Sequence, residues 1–397
     1  MKHHHQLAVL LLALAAWAAP LSAEDTQVVR SGSGWMEVVS GTLPSLRNLK
    51  VDIEFGSVLV RGGSPQGITY TVRKRLNSGS ESHARRQFEL FTVHASQKSD
   101  FAVLEAECRG AEKISVEVTV NVPRELAFAK VGTRGGRVEM TNIAGRVEAE
   151  TAGGSIIIND IGGTVKAETS GGSIEVGNVG GDMNLETAGG SINIRSASGK
   201  IRAETAGGSI DVGSANQSAY LSTAGGSIQV KRCDGDLQAS TAGGSVEVGD
   251  VGGWATLETS GGSIRLASAK GVVRATTSGG GIRLYGLTHG VTAKTAAGSI
   301  YAEFTAGKAS FSESHLETSI GDVVVYLPSD LPVTVRATID AAKGHKMITD
   351  FPEVKVSSEG GEWGPREIYG QGAINGGGPL LKIHITGGNI ELRRGKR

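Results

Sequence analysis

Ten threonines recur every 18 residues, at Thr133, Thr151, Thr169, Thr187, Thr205, Thr223, Thr241, Thr259, Thr277 and Thr295, with no insertion or deletion between them. A chain that repeats its chemistry at one unbroken step places each unit in the same position within a stack. Counted from each Thr as zero, the third offset is glycine in every unit from Gly136 to Gly298, and the second is glycine except at Ala297. Offsets five and seven are apolar, as in Ile156/Ile158, Ile174/Val176 and Ile192/Ile194, and so are offsets fourteen and sixteen, as in Val165/Ala167, Met183/Leu185 and Ile201/Ala203. Period-2 alternation bounded by glycine predicts two short strands per unit.

Gly-Gly can close the hairpins of an antiparallel meander or turn the corners of a parallel solenoid. Offset ten favours the solenoid. A hairpin tip is polar and exposed, whereas this turn position carries Ile143, Ile161, Val179, Ala197, Ala215, Cys233, Val251, Ala269 and Leu287. A side chain at the corner of a coil can point inward. The expected fold class is therefore all-β, a parallel β-solenoid (β-helix) of about ten 18-residue coils with β-rich N- and C-terminal caps, a rod of roughly 45–50 Å at the spacing of paired strands. The glycines are expected to supply either positive φ or close backbone approach.

The expected organisation is a signal peptide over 1–23, an N-terminal β-rich cap over 24–130 with one short helix, the repeat core over 131–312 and a C-terminal β-strand cap over 313–397. Leu49–Phe55, Ile68–Lys74, Phe101–Glu107 and Ile114–Val122 read as strands, and Glu81–Phe91 as a helix with Ala84, Phe88 and Phe91 on one side. Beyond Glu313 the 18-residue register breaks; Asp322–Leu327 and Val333–Ile339 read as strands, and Thr386-Gly387-Gly388-Asn389-Ile390 echoes the repeat.

The N-terminus has a basic residue at Lys2, an apolar run from Leu7 to Ala19 and small residues leading to Ala23, the pattern of a secretory signal cleaved after Ala23. Export to the periplasm, the extracellular space or the cell surface follows, with no transmembrane anchor after cleavage. The formal net charge of +0 leaves no basic face for nucleic acid. With 59 glycines and 5% aromatic residues, the composition fits repeated turns and not a set of ordinary domains.

Catalytic chemistry is sparse. Calcium rolls need an Asp in their glycine turn, and the corresponding stretch here is Gly-Gly-Ser-Ile-Glu-Val. Glu150, Glu168, Glu186 and Glu204 share offset seventeen and stack as a like-charge column; a cation ladder is one reading, and a solvated face compensated by Lys166 and Arg202 is the better one. Cys233 occupies the apolar offset-ten column, so a core thiol is expected and not a bridge to Cys108. The histidines lack zinc-ligand spacing, and no nucleophile-elbow, phosphate-loop or dinucleotide motif is present. No catalytic residue, cofactor or metal is expected, and the chain reads as non-enzymatic. The column of Thr raises ice binding, but offset one is Ala, Ser or Arg and not a second outward Thr. One outward feature stands out: Trp254 at offset thirteen, with Val272 one coil on in the same column and Gln238 and Thr256 at outward offset fifteen, a candidate surface for a sugar ring or a partner.

The exported N-terminus, the runs of T-x-G-G-S-I-x-V alternating with x-G-G-x-V-x-A-E, the break ETSIGDVVVYLP and the closing GAINGGGPLLKIHITGGNIEL together resemble the bacterial putative-adhesin family with β-strand repeats, over about Val51 to Leu392. The resemblance implies a β-strand repeat fold and a surface or periplasmic binding role, and brings no catalytic residues to carry over. The expected function is a non-enzymatic, adhesin-like or envelope-scaffold protein whose partner is a cell-surface polysaccharide or an envelope protein. The alternatives are an envelope-stress or assembly partner, and a carbohydrate-binding or carbohydrate-active β-helix.

Overall fold

Each unit makes one turn of a coil. In the unit that begins at Thr187, Ile192–Ala197 lies in one sheet, the chain turns through Ser198, Gly199 and Lys200, and Ile201–Thr205 lies in the facing sheet. The next unit repeats this one layer along, with Ile192 opposite Ile210 and Thr205 opposite Thr223, both pairings parallel. The computed structural model describes residues 25–110, 114–305, 310–360 and 366–395; the expected signal peptide lies outside them.

Two sheets of 18 strands result, here termed the isoleucine sheet and the threonine sheet after the residues that open or close their strands. The isoleucine sheet runs from the edge strand Asp25–Ser31 to Met347–Thr349, and the threonine sheet from Phe91–Lys98 to Lys355–Glu359. Both are open; neither closes into a barrel. The apolar offsets point between them: Ile192, Ile194, Ala197, Ile201 and Ala203 are each at most 3% exposed. The offset-ten column is inward as expected, with Ile161 at 2% and Val179 at 3%. Each fully buried aliphatic side chain contributes about 1.5–3 kcal/mol, and in a stack every one also packs on its copies above and below.

The Gly-Gly corner is explained by approach and not by handedness. Among the array's Gly pairs only Gly136 has a positive φ, 125°. A Cβ on the third-offset glycine would instead run into the carbonyl of the same glycine one coil back, as Gly208 into Gly190. The offset-zero Thr closes the same corner. Thr205 Oγ1 donates to the Gly190 carbonyl at 2.8 Å and accepts from Gly208 N–H at 3.2 Å. The same pair of bonds recurs at Thr169, Thr187, Thr223, Thr241, Thr259 and Thr277. These threonines are buried, 3–8% exposed along the whole column, so they form a structural ladder with no outward rank to present to ice. Outside it, Ser191 Oγ accepts from Ser209 N–H and Ser209 Oγ from Ser227 N–H, each at 3.2 Å.

The stack outlasts the uninterrupted array. Asn48–Ile53 pairs in register beneath Phe128–Thr133, with Ile53 opposite Thr133, and Ser57–Gly62 lies beside Val138–Ile143. These two strands form a coil without Gly-Gly. The intervening chain leaves to lay down Phe101–Cys108 and Ile114–Val122 on the far side before returning. Past Glu313, where the sequence pattern breaks, the spatial register continues: Thr318 stands opposite Thr295 and donates to the Gly298 carbonyl at 2.9 Å. The break is an insertion between strands, which moves the next Thr along the chain without moving it in the stack. Leu380–Gly387 and Ile390–Arg394 then slot between that coil and Val333–Ile339 and Met347–Thr349, so the glycine echo near the C-terminus is a true coil.

Antiparallel strands and one helix cover the ends. Ile68–Leu76 and Gly34–Leu43 extend the isoleucine sheet at the N-terminal end. The helix Glu81–Glu89 is capped by Ser80 and buries Ala84 and Phe88; it stops two residues short of the expected Phe91, which opens a strand instead. Lys74, 5% exposed, ties helix to sheet by donating to the Phe88 carbonyl at 3.0 Å while paired with Glu37 at 2.7 Å. At the other end Glu367–Ile374 and Lys355–Glu359 pair antiparallel as the last strands, and Lys355–Glu359 is exposed along its whole length. Charge on such an edge discourages further pairing. Among the described residues no helix is long and apolar enough to cross a membrane.

The two glycines of a corner are expected to differ in tolerance. Gly207→Ala, whose Cβ would lie 3.3 Å from the Gly189 carbonyl and whose column already accepts Ala297 and Ile320, is expected to cost less than about 1 kcal/mol. Gly208→Ala is expected to cost about 3 kcal/mol or more, because backbone must move. Urea unfolding midpoints of the two variants check the difference.

Candidate functional site

Because alternate residues of each strand are inward, what the protein can bind is written in its outward columns. Along offset thirteen the coils place Arg146, Thr164, Asp182, Lys200, Ser218 and Asp236, then Trp254 and Val272. Trp254 is 44% exposed and Val272 52%. The other exposed large apolar side chains among the described residues are Val29 and Val356 on end strands and Ile320 at a corner. Only Trp254 and Val272 are neighbours in one column, one strand spacing apart, about 4.8 Å.

Trp254 forms one wall of an open groove of about 390 Å³ whose other members include Tyr220, Gln238, Arg202, Lys200 and Asp182. Tyr220 faces Gln238 on the adjacent strand, and Gln238 faces Thr256 on the next. The Trp254 backbone is held by its N–H donating to Asp236 Oδ1 at 3.1 Å. The Arg202 guanidinium lies 4.7 Å from the Tyr220 ring centre and is paired with Glu204, which fixes the floor of the groove. Of the residues singled out in the sequence, Trp254 and Gln238 line the groove, while Thr256 and Val272 lie beside it in their columns and do not. Tyr220 and Arg202 were missed. The signal was available at offset fifteen, where they precede Gln238 by one and two coils.

The acidic column borders a longer groove of about 1340 Å³ at the corner of the threonine sheet, where Glu150, Glu168, Glu186 and Glu204 rise beside the small residues Ala152, Ser170, Ala188 and Ala206. Local pairing is present: Lys166 meets Glu168 at 3.0 Å, and Lys130 bridges Glu148 at 2.8 Å and Glu150 at 3.0 Å. Its bond to Glu148 raises the Lys130 pKa, and the same bond lowers that of Glu148. Among the described residues no three His, Cys, Asp or Glu side chains converge as a metal site. Cys233 is fully buried in its column, and neither it nor Cys108 is in a disulfide; burial pushes the Cys233 thiol up.

On the isoleucine sheet Tyr285, Tyr301 and Tyr326 stack with ring centres 5.0 and 5.5 Å apart. Burial and a hydrogen bond to Glu303 push Tyr301 up to about 12. Toward the C-terminal end of the threonine sheet, His315 Nε2 is 3.3 Å from Glu317 but has no hydrogen-bond partner, while His384 Nε2 meets Asp340 at 2.8 Å.

No family model matches the sequence, and no curated protein matches it. Among solved structures, a putative adhesin from Bacteroides fragilis is similar over 58% of this chain and 96% of its own, at 12% identity and a TM-score of 0.34. A putative adhesin from Parabacteroides distasonis covers 91% of this chain and 98% of its own at 12% identity and a TM-score of 0.25. A putative cell adhesion protein from Clostridium sporogenes covers 94% and 100% at 9% identity and a TM-score of 0.17. The names agree with the family that the sequence motifs resemble. At these scores the superpositions carry no argument about the chemistry of this chain.

The histidines give a pH expectation. Burial, with Lys294, Lys382 and His384 nearby, lowers the His315 pKa below its ordinary 6.5, against the pull of Glu317. A base that is harder to protonate when folded loses stability as pH falls through 6.5 toward its folded value, because the unfolded chain takes up the proton first. His315→Gln is expected to flatten the stability profile in that window, as read from unfolding midpoints across the pH range.

Proposed function

We propose that this chain is an exported, non-enzymatic adhesion or envelope-scaffold protein that binds through the outward columns of its solenoid. The observation that supports this reading best is the in-register stack itself. Parallel pairing continues without a break from Asn48–Ile53 to Leu380–Gly387 along the threonine sheet, so a side chain outward in one coil has a counterpart one strand spacing away in the next. Such a surface offers many similar shallow contacts in a line. Weak contacts that engage together give avidity that none has alone.

The grooves fit this role better than a catalytic one. Both are open and run along the rod, and the ion pairs of the acidic column lie within and between neighbouring strands. Glycoside hydrolysis requires two carboxylates facing each other across a bound sugar, whereas Glu150, Glu168, Glu186 and Glu204 stand side by side on successive strands. The signal-like segment with its cleavage motif at Ala23 supports export.

The test is retention of the mature protein, residues 24–397, on bacterial cells, extracellular matrix and purified envelope polysaccharide. A shortened rod lacking residues 134–169, which removes two coils and rejoins Thr133 to Ser170 in register, is expected to fold and to show about three- to tenfold weaker retention. A full-length rod that is retained on none of these surfaces overturns the proposal.

A further inference from the structure

The groove between Tyr220 and Trp254 has the chemistry of a sugar-binding site. A pyranose ring presents an apolar C–H face and a rim of hydroxyl groups, so it is held by an aromatic surface bordered by short, well-placed donors and acceptors. Trp254 supplies such a surface on a column where the six preceding coils are polar, and it remains 44% exposed. Tyr220 supplies a second ring. It belongs to a strand two steps from the strand Ala255–Thr259 that follows Trp254, about 9.6 Å along the rod at strand spacing. Gln238 stands on the strand between the two aromatic residues, and Asp182 and Lys200 line the groove beyond Tyr220, with Asp182 Oδ1 accepting from Lys200 N–H at 2.8 Å.

The backbone at Trp254 and the ring of Tyr220 are both anchored before anything binds. Asp236 accepts the Trp254 backbone N–H, and Arg202 rests on Tyr220 while paired with Glu204. A groove whose walls are set in advance loses less entropy on binding.

Other occupants fit less well. A folded protein partner needs about 800 Å² of its own and of this surface to form a stable contact, and here two exposed apolar side chains stand in a polar column. Nucleic acid would meet the carboxylates of Asp182 and Asp236 without a compensating basic face. A lipid surface needs a continuous apolar face.

We propose that this groove binds a polysaccharide chain running along the rod, with one sugar ring on Trp254 and another near Tyr220, with the hydroxyl groups between them on Gln238 and those beyond Tyr220 on Asp182. This deepens the surface-binding reading above and rests on it. Lys200 has no carboxylate within ion-pairing distance among the described residues, so it can meet a sugar carboxylate or a neutral hydroxyl. Neutral and uronate polymers share the ring chemistry, and Lys200 separates them.

The experiment is affinity electrophoresis and calorimetry of the mature protein against a soluble neutral β-glucan and against polygalacturonate. Binding to at least one is expected. Trp254→Ala and Tyr220→Ala should each weaken it about tenfold or more, the equivalent of about 1.4 kcal/mol. Val272→Ser, outside the groove, should change it less than about twofold. Trp254→Phe, which keeps a ring, should retain most of the binding and guards against a folding defect in the alanine variant. Loss of polygalacturonate binding in Lys200→Gln assigns an acidic sugar; unchanged glucan binding in the same variant assigns a neutral one. Absence of binding to both polymers, or equal binding by the wild type and Trp254→Ala, overturns the proposal. If Trp254→Ala loses no retention on cells or matrix, this site fails while the adhesion reading stands; if the groove binds polymer but the rod is retained on no surface, the reverse holds.

Discussion

The corner at which Thr and Gly meet across neighbouring coils governs the rest of the structure. Strand pairing sets the coils about 4.8 Å apart, and at a corner the backbone must keep that spacing while reversing direction. The third-offset glycine leaves no side chain between its backbone and the carbonyl below, and the Thr hydroxyl joins the two by donating to one glycine carbonyl and accepting from the next glycine N–H. The hydroxyl satisfies backbone groups that the turn would otherwise bury unpaired, a loss of about 1–3 kcal/mol each. Repeated at every coil, this keeps the sheets flush and the aliphatic columns in contact.

A rod held this way has a simple division of labour. Everything that repeats strictly is inward or at the corner: Thr, the second Gly, and the aliphatic offsets. Everything that varies is outward, where the backbone ladder does not depend on it. Trp254 could replace a polar residue at offset thirteen, and Tyr220 one at offset fifteen, without disturbing the backbone bonds between coils; what offset thirteen gives up is the side-chain bond that Asp182, Ser218 and Asp236 each accept from the next coil. The outward surface is thus free to vary while the fold is held elsewhere.

Much of the rod was legible in the chain. Offset ten predicted inward corners, and Ile161 and Val179 are inward; Ile114–Val122 and Val333–Ile339 are strands with the expected bounds. The coil Asn48–Ile53 with Ser57–Gly62 was harder to see, because Ile53 stands where Thr belongs and only Gly56 keeps the corner. The coil closed by Thr318 was hidden by an insertion, since a period is a property of the chain whereas register is a property of the stack. In the candidate groove Trp254 and Gln238 could be read from their offsets. Their meeting with Tyr220 and Arg202 depends on how far each side chain reaches across strands, which no column count contains.

The sequence by itself determined the coil: its length, its two strands, which residues face inward, and the parallel direction that an unbroken period and an apolar corner require. Only the tertiary structure decided how the rod ends. At both ends a chain segment leaves the stack, builds an outer layer and is bridged by a strand pair from a distant part of the sequence, as Leu380–Gly387 enters between Ser314–Ile320 and Val333–Ile339. The reason is that local alternation specifies a strand and the face it buries, while the neighbour it pairs with is chosen by whichever exposed edge offers matching apolar contacts and free backbone groups, and that choice is made in space.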